Sequence, residues 1–78
     1  MSRPVKRSFS LNGHHTSLSM EKPFWDALKE AADARALSLA ALVSLIDERR
    51  DPDNGLSSAV RVWILDYYRS RSPRSNDR

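Results

Sequence analysis

The sequence has no cysteine, only two glycines and no long run of apolar residues. Without cysteine the chain can form neither a disulfide nor a thiolate-ligated metal site. No segment approaches the roughly 18 consecutive apolar residues of a membrane-spanning helix, and the N-terminus lacks the apolar region of a signal peptide. These absences predict a cytoplasmic protein that does not interact with a membrane.

The chain is also short. Its 78 residues can form one domain at most, and a monomer of this size buries only roughly 60% of the surface that its unfolded chain exposes. Such small domains are marginally stable, and oligomerisation is the common way to stabilise them when disulfides are excluded. We therefore expect an obligate homodimer.

Charge is distributed unevenly along the chain. The formal net charge is +3 for residues 1–15, −3 for residues 16–68 and +3 for residues 69–78. Basic chain ends often bind phosphate backbones, although they also serve as solubilising tails. We predict a disordered basic arm at residues 1–6, a folded domain at residues 7–69 and a disordered basic tail at residues 70–78.

The segment SFSLNGHHTSLSM, residues 8–20, alternates apolar and polar residues on both sides of Asn12-Gly13. An Asn-Gly pair favours a two-residue β-hairpin turn, because both central residues of a type I′ turn need a positive φ. Such a turn would pair Leu11 with His14. The apolar face would then hold Phe9, Leu11, Thr16, Leu18 and Met20, and the polar face Ser8, Ser10, His15, Ser17 and Ser19. The alternative is a flexible Asn-Gly linker followed by a single strand at residues 15–20.

Three helices are predicted after this segment. Pro23 suits the first turn of a helix that ends near Arg35, because the missing N–H of proline would have no partner there. Ser38 is a good N-cap for a second helix over residues 39–50. The apolar residues of this second helix nearly surround it, and they are Leu39, Leu42, Val43, Leu45 and Ile46. We infer that this helix contacts its own copy in a second chain.

The third helix is predicted from about Ser57 to Arg69, after a turn at residues 51–55. Its apolar stripe comprises Val60, Trp63, Ile64 and Tyr67, with Val62 and Leu65 widening it. Helical spacing favours core packing for these aromatic residues over base stacking. The third helix would then cover the apolar flank of the dimer, or alternatively present its arginines to a partner.

Neither a metal site nor a catalytic site is indicated. His14 and His15 are adjacent on a strand, so their side chains point to opposite faces and cannot bind one ion together. The serines lie on an exposed strand or in caps, and the acids lie on solvated faces, whereas a catalytic site needs a base held near a nucleophile. We expect no enzymatic activity, no metal and no cofactor.

The order of strand, amphipathic helix, capped turn and apolar helix resembles the bacterial ribbon-helix-helix domain family with a third helix. The family motif can be written G-H-x-T-S-[LV]-x-[LM]-E-x-x-F-W. In this sequence it reads Gly13-His14-His15-Thr16-Ser17-Leu18-Ser19-Met20-Glu21, followed by Phe24-Trp25. The resemblance covers about residues 7–70 and implies a mainly α fold with a short antiparallel β-ribbon, here with an N-terminal hairpin.

The resemblance implies a DNA-binding transcriptional regulator. Two chains would intertwine, and a ribbon made of one strand from each would enter the major groove. The base-facing residues would be His15, Ser17 and Ser19. The dimer core would contain Leu18, Met20, Leu42, Val43 and Ile46. Phosphate contacts would come from Arg3, Lys6 and Arg7 and from the start of the second helix at Ser38, Leu39 and Ala40, where backbone N–H groups favour an anion.

Two features leave an alternative open. Serine discriminates bases poorly, because it cannot make the bidentate contacts of longer side chains. A hairpin in each chain would also give a four-stranded sheet, with its outer strands roughly 14 Å apart. The major groove is only about 12 Å wide, so the sheet would have to bend or open. The alternative is a ribbon-helix-helix scaffold that binds a small anionic effector or a protein partner, and Arg3-x-x-x-Arg7 resembles the arginine pair of some cyclic-dinucleotide binders.

Overall fold

The computed structural model describes residues 3–71, which form a β-hairpin followed by three helices. The elements are β1 (Pro4–Leu11), β2 (His14–Glu21), α1 (Lys22–Ala34), α2 (Leu39–Arg49) and α3 (Leu56–Arg71). The hairpin forms an antiparallel two-stranded sheet. None of the helices in this described part of the chain is long and apolar enough to cross a membrane.

The predicted hairpin and its register are confirmed. Asn12 and Gly13 have φ values of 51° and 83°, as a type I′ turn requires. Leu11 pairs with His14, and the alternation places apolar side chains on one face of the sheet. The interpretation of Asn12-Gly13 as a flexible linker is therefore wrong.

The strand β1 begins at Pro4, inside the segment predicted to be a disordered arm. The boundary expected at residue 7 is wrong because pairing continues through Val5 with Met20 to Pro4 with Glu21. At the other end, α3 continues to Arg71, two residues beyond the predicted domain limit. Of the predicted arm and tail, residues 1–2 and 72–78 lie outside the described residues.

Helix α1 ends without glycine. The N–H of Leu37 donates to the carbonyl of Ala32 at 2.9 Å, and the N–H of Ala36 donates to that of Asp33 at 3.0 Å. These two bonds are those of a Schellman motif, which places the residue after the cap in the left-handed region. Here that residue is Ala36, with φ of 57°, and an alanine is strained in this conformation.

Helix α2 begins as predicted. The hydroxyl of Ser38 accepts a hydrogen bond from the N–H of Ala41 at 3.0 Å, which is the N-cap interaction. Each of the three helices lies within one or two residues of its predicted position.

All five elements contribute to one hydrophobic core. The buried side chains are Leu11, Leu18, Met20, Trp25, Leu28, Ala31, Ala32, Leu42, Val43, Ile46, Val60 and Ile64. They include every residue predicted for the dimer core, so one chain buries all of these residues by itself. Because β1 and α3 of the same chain pack against α2, the burial of Leu42, Val43 and Ile46 does not require a second copy, and contact of α2 with its own copy stays a prediction.

Helix α3 covers the core with only part of its predicted stripe. Val60 and Ile64 are buried, whereas Trp63 and Tyr67 are half-buried. Val62 and Leu65, which were expected to widen the stripe, are 55% and 54% exposed. They lie on the side of α3 that faces solvent, so the expectation for these two residues is wrong.

Candidate nucleic-acid interface

The outer face of the hairpin carries a row of small polar and basic side chains. Across the two strands Lys6 pairs with Ser19, Ser8 with Ser17, and Ser10 with His15. All six residues are exposed. Because side chains alternate along a strand, these six share the face that points away from the helices. The predicted base-facing residues His15, Ser17 and Ser19 therefore form one continuous exposed row on β2.

This surface holds one acid, because the alternation also places Glu21, the partner of Pro4, on the same face, whereas residues 3–20 contain no aspartate or glutamate. The first acid is Glu21, at the end of β2, and a guanidinium nitrogen of Arg61 lies 2.9 Å from its Oε1. The hydrogen bond from Arg61 lowers the pKa of the Glu21 carboxyl below its ordinary value, so the carboxyl is ionised and paired. Arg61 thus offsets the one carboxylate of the polar face.

A cluster around Trp25 holds β1 against α1, and we call it the Trp25 clamp. The indole N–H of Trp25 donates to the carbonyl oxygen of Val5 at 2.9 Å. The guanidinium carbon of Arg7 lies 5.3 Å from the centroid of the indole ring, and the ring of Phe9 is 6.0 Å away, centroid to centroid. Trp25 itself is 2% exposed. The clamp consists of Val5, Arg7, Phe9 and Trp25, and it joins the start of α1 to the first strand.

The structure separates the three basic residues predicted to contact phosphate together. Lys6 lies on the outer face beside Ser19. Arg7 lies on the opposite face, over Trp25, and Arg3 precedes the strand and is exposed. They do not form a single flexible arm. Arg3 and Arg7 are also the pair considered for a small anionic ligand, and the guanidinium of Arg7 already stacks on the indole.

The other predicted phosphate contact is the start of α2. Ser38 and Ala40 are exposed there, and Leu39 is half-buried. The N–H groups in the first turn of a helix have no acceptor within that helix. The hydroxyl of Ser38 accepts from Ala41, which leaves the N–H groups of Leu39 and Ala40 as the donors available for an anion.

A cavity of about 310 Å³ lies beside the tip of the hairpin and is lined by residues that include His14, His15, Asp47 and Arg50. The guanidinium of Arg50 is already engaged, since it bonds Asp47 and the carbonyl of Asn54, each at 2.7 Å. Among residues 3–71, no group of three or more histidine, aspartate or glutamate side chains could hold a metal ion. Two histidines thus contribute to the lining of this cavity, but it has little free positive charge.

Comparison with known proteins identifies the family. A model of the ribbon-helix-helix domain matches residues 4–68, and the chain belongs to this family. The solved structure of an uncharacterized protein from Bordetella pertussis Tohama I is similar, with 30% identity and a TM-score of 0.74. The similarity covers 97% of this chain and 73% of that chain. No curated protein matches the chain.

Membership of the family has a general functional meaning. Ribbon-helix-helix domains are typically DNA-binding regulators, and they commonly form dimers. The fold is a non-enzymatic, DNA-binding type.

Proposed function

We propose that this protein is a DNA-binding transcriptional regulator and that the outer face of its hairpin is the surface that meets DNA. The observation that carries the proposal is the row of six exposed polar and basic side chains on a face whose one carboxylate, Glu21, is paired with Arg61. His15, Ser17 and Ser19 face the bases. As a regulator of bacterial genes, the protein acts in the cytoplasm, on the nucleoid.

The active form is a homodimer joined through the free edge of β2. In a two-residue hairpin the pair next to the turn is hydrogen-bonded, and hydrogen-bonded pairs then alternate along the strands. Ser17 and its neighbours two residues away therefore direct their N–H and C=O groups away from β1. The outer edge of β1 carries Pro4 and Lys6, two residue types that discourage strand pairing, whereas β2 has neither from His15 to Ser19.

Recognition by this surface relies more on phosphates than on bases. Serine hydroxyls accept several bases, and no arginine, asparagine or glutamine stands on the outer face to make bidentate contacts. The charged side chains of Arg3 and Lys6, together with the N–H groups in the first turn of α2, contact the phosphate backbone of the DNA. Such binding has a steep dependence on salt concentration and a modest preference for sequence.

The first test is selection of genomic DNA fragments by the purified protein at near-physiological salt, followed by sequencing. The structure offers a matched pair of variants, because His14 and His15 are adjacent but lie on opposite faces. We expect His15→Ala to weaken or change the enriched sequence and His14→Ala to leave it unchanged. Equal effects of the two changes, or no DNA binding at all, would contradict the proposal.

The dimer is tested separately by blocking one strand edge at a time. Ser17→Pro removes an N–H on the free edge of β2, and Ser8→Pro removes its counterpart on β1, the residue that pairs with it. Neither N–H takes part in the hairpin ladder, so both variants keep the hairpin. Sedimentation in the presence of DNA should show that only Ser17→Pro prevents dimer formation. If Ser8→Pro also gives a monomer, or if neither does, the chains do not join through β2.

If the protein binds no DNA, the alternative is a scaffold for a small anionic ligand. The cavity at the hairpin tip would then be the place to look, because it brings His14 and His15 next to Arg50. Calorimetric titration with a cyclic dinucleotide, at low and at high salt, distinguishes the two functions. Binding in a defined pocket depends little on salt, whereas contacts with a phosphate backbone depend on it strongly.

A further inference from the structure

We infer that β1 is the phosphate-contacting strand of the sheet and that Lys6, Ser8 and Ser10 are its contact residues. This inference rests on the proposed DNA binding by the outer face. The register supplies its basis, because each base-facing residue of β2 has one of these three residues directly beside it on the same face. The two rows therefore run side by side, one on each strand.

The dimensions of the sheet assign different roles to the two rows. Neighbouring strands are about 4.8 Å apart, so in a dimer joined through β2 the two β2 strands lie about 4.8 Å apart and the two β1 strands roughly 14 Å apart. The major groove is about 12 Å wide. The β2 strands thus lie over the groove, and each β1 strand lies over one of the phosphate backbones that border it. The hairpin stays closed, and the sheet bends so that β2 reaches toward the bases.

The side chains of β1 suit this position. Phosphate oxygens accept hydrogen bonds, and lysine and serine are common donors to them. Lys6, Ser8 and Ser10 are all exposed. Within residues 3–71, no carboxylate lies at ion-pair distance from Lys6, so its charge is available to a phosphate.

The strand β1 is also held against the rest of the domain near both of its ends. Leu11, at one end of β1, is 4% exposed and belongs to the core. Near the other end, the carbonyl of Val5 accepts the hydrogen bond from the indole N–H of Trp25. Opening the hairpin would expose Leu11 and break the Trp25 clamp. We therefore assign the phosphate contacts to an ordered strand instead of a flexible basic arm.

The experiment measures DNA affinity as a function of salt for Lys6→Ala and for Lys29→Ala. Both variants lose one exposed lysine, but Lys29 lies on α1. Each phosphate contact contributes about 0.9 to the slope of log K against log salt concentration. We expect Lys6→Ala to lower this slope by about 1.8 per dimer and to leave the selected sequence unchanged. Lys29→Ala should change neither.

The serines are tested by the double variant Ser8→Ala and Ser10→Ala, with Ser58→Ala on α3 as its control. The double variant should weaken binding to all sequences alike, by roughly tenfold or more per protomer, since two hydrogen bonds to charged phosphate oxygens are lost. If Lys6→Ala keeps the full slope, or if the serine variant changes the selected sequence, β1 does not have this role. If β1 fails these tests but DNA binding still depends on His15, the proposed function stands without a role for β1. If the unaltered protein does not bind DNA, both the proposed function and the role of β1 are wrong.

Discussion

Replacing Trp25 with phenylalanine tests whether the Trp25 clamp holds the hairpin on the helices. The change keeps an aromatic ring at a site that is 2% exposed, but it removes the N–H that bonds the carbonyl of Val5 at 2.9 Å. It also removes part of the surface on which Arg7 stacks. The hairpin should remain formed, because its turn and the buried Leu11 are unchanged, but β1 should be held less firmly.

The expected loss of stability follows from these contacts. A neutral hydrogen bond contributes about 1 kcal/mol net, and the smaller ring leaves a void that costs about 1–2 kcal/mol more. The total is about 2–3 kcal/mol. A domain of this size has a free energy of unfolding of roughly 4–12 kcal/mol, at about 0.05–0.15 kcal/mol per residue. The variant should therefore fold, with a clearly lower urea midpoint at an unchanged slope.

Trp63→Phe is the matched control, because Trp63 is half-buried on α3 and stacks on Tyr67, away from the Trp25 clamp. Urea unfolding followed by circular dichroism gives the two stabilities, and amide hydrogen exchange reports on β1. We expect Trp25→Phe to lose more stability and to speed exchange in β1, and Trp63→Phe to leave that exchange unchanged. Equal losses, or unchanged exchange in β1 of Trp25→Phe, would refute the reasoning. Tighter DNA binding by Trp25→Phe would mean instead that β1 opens on DNA.

Three further changes test the fold and the charge around the site. Ala36→Gly should raise the free energy of unfolding by about 0.5–1 kcal/mol in thermal or urea denaturation, because glycine relieves the positive φ. Leu42→Asp should unfold the protein by placing a charge in the core, whereas Leu65→Asp on the exposed side of α3 should leave the circular dichroism spectrum unchanged. Arg61→Gln should raise the pKa of Glu21 toward its ordinary value in a carboxyl NMR titration. The ionised Glu21 carboxyl stabilises the fold at pH values above the pKa that it has in the unfolded chain. The difference in stability between the unaltered protein and Arg61→Gln should therefore shrink as the pH falls through the lowered pKa of Glu21 in the folded protein.

The hairpin and the helix starts could be predicted because their signals are local. Asn12-Gly13 specifies a turn in which both residues have a positive φ, and the alternation on either side fixes the register. Ser38 similarly needs only its own helix to act as a cap. The polar row on β2 followed from the same alternation, so the exposure of His15, Ser17 and Ser19 was accessible from the sequence.

The Trp25 clamp and the covering of α2 could not be predicted, because they depend on contacts between distant segments. Periodicity shows which side of an element is apolar but not which element covers it. From the sequence, the apolar surface of α2 predicts contact with a second chain, but periodicity cannot show that β1 and α3 of the same chain also pack against it. The bond from Trp25 to Val5 joins residues 20 positions apart. The F-W pair was visible in the sequence, but nothing local indicates where an indole N–H finds its acceptor.

A core that closes within one chain changes what dimerisation requires. Leu42 and its neighbours are already buried, so a dimer joined through β2 gains backbone hydrogen bonds and little apolar burial. Such an interface is weak in free protein, because each hydrogen bond formed replaces one with water. DNA would then favour the dimer by binding two hairpins side by side, so that dimerisation and DNA binding are coupled. The proposed regulator would be a monomer at low concentration and a dimer on DNA, in contrast to the obligate dimer expected from a short chain without disulfides.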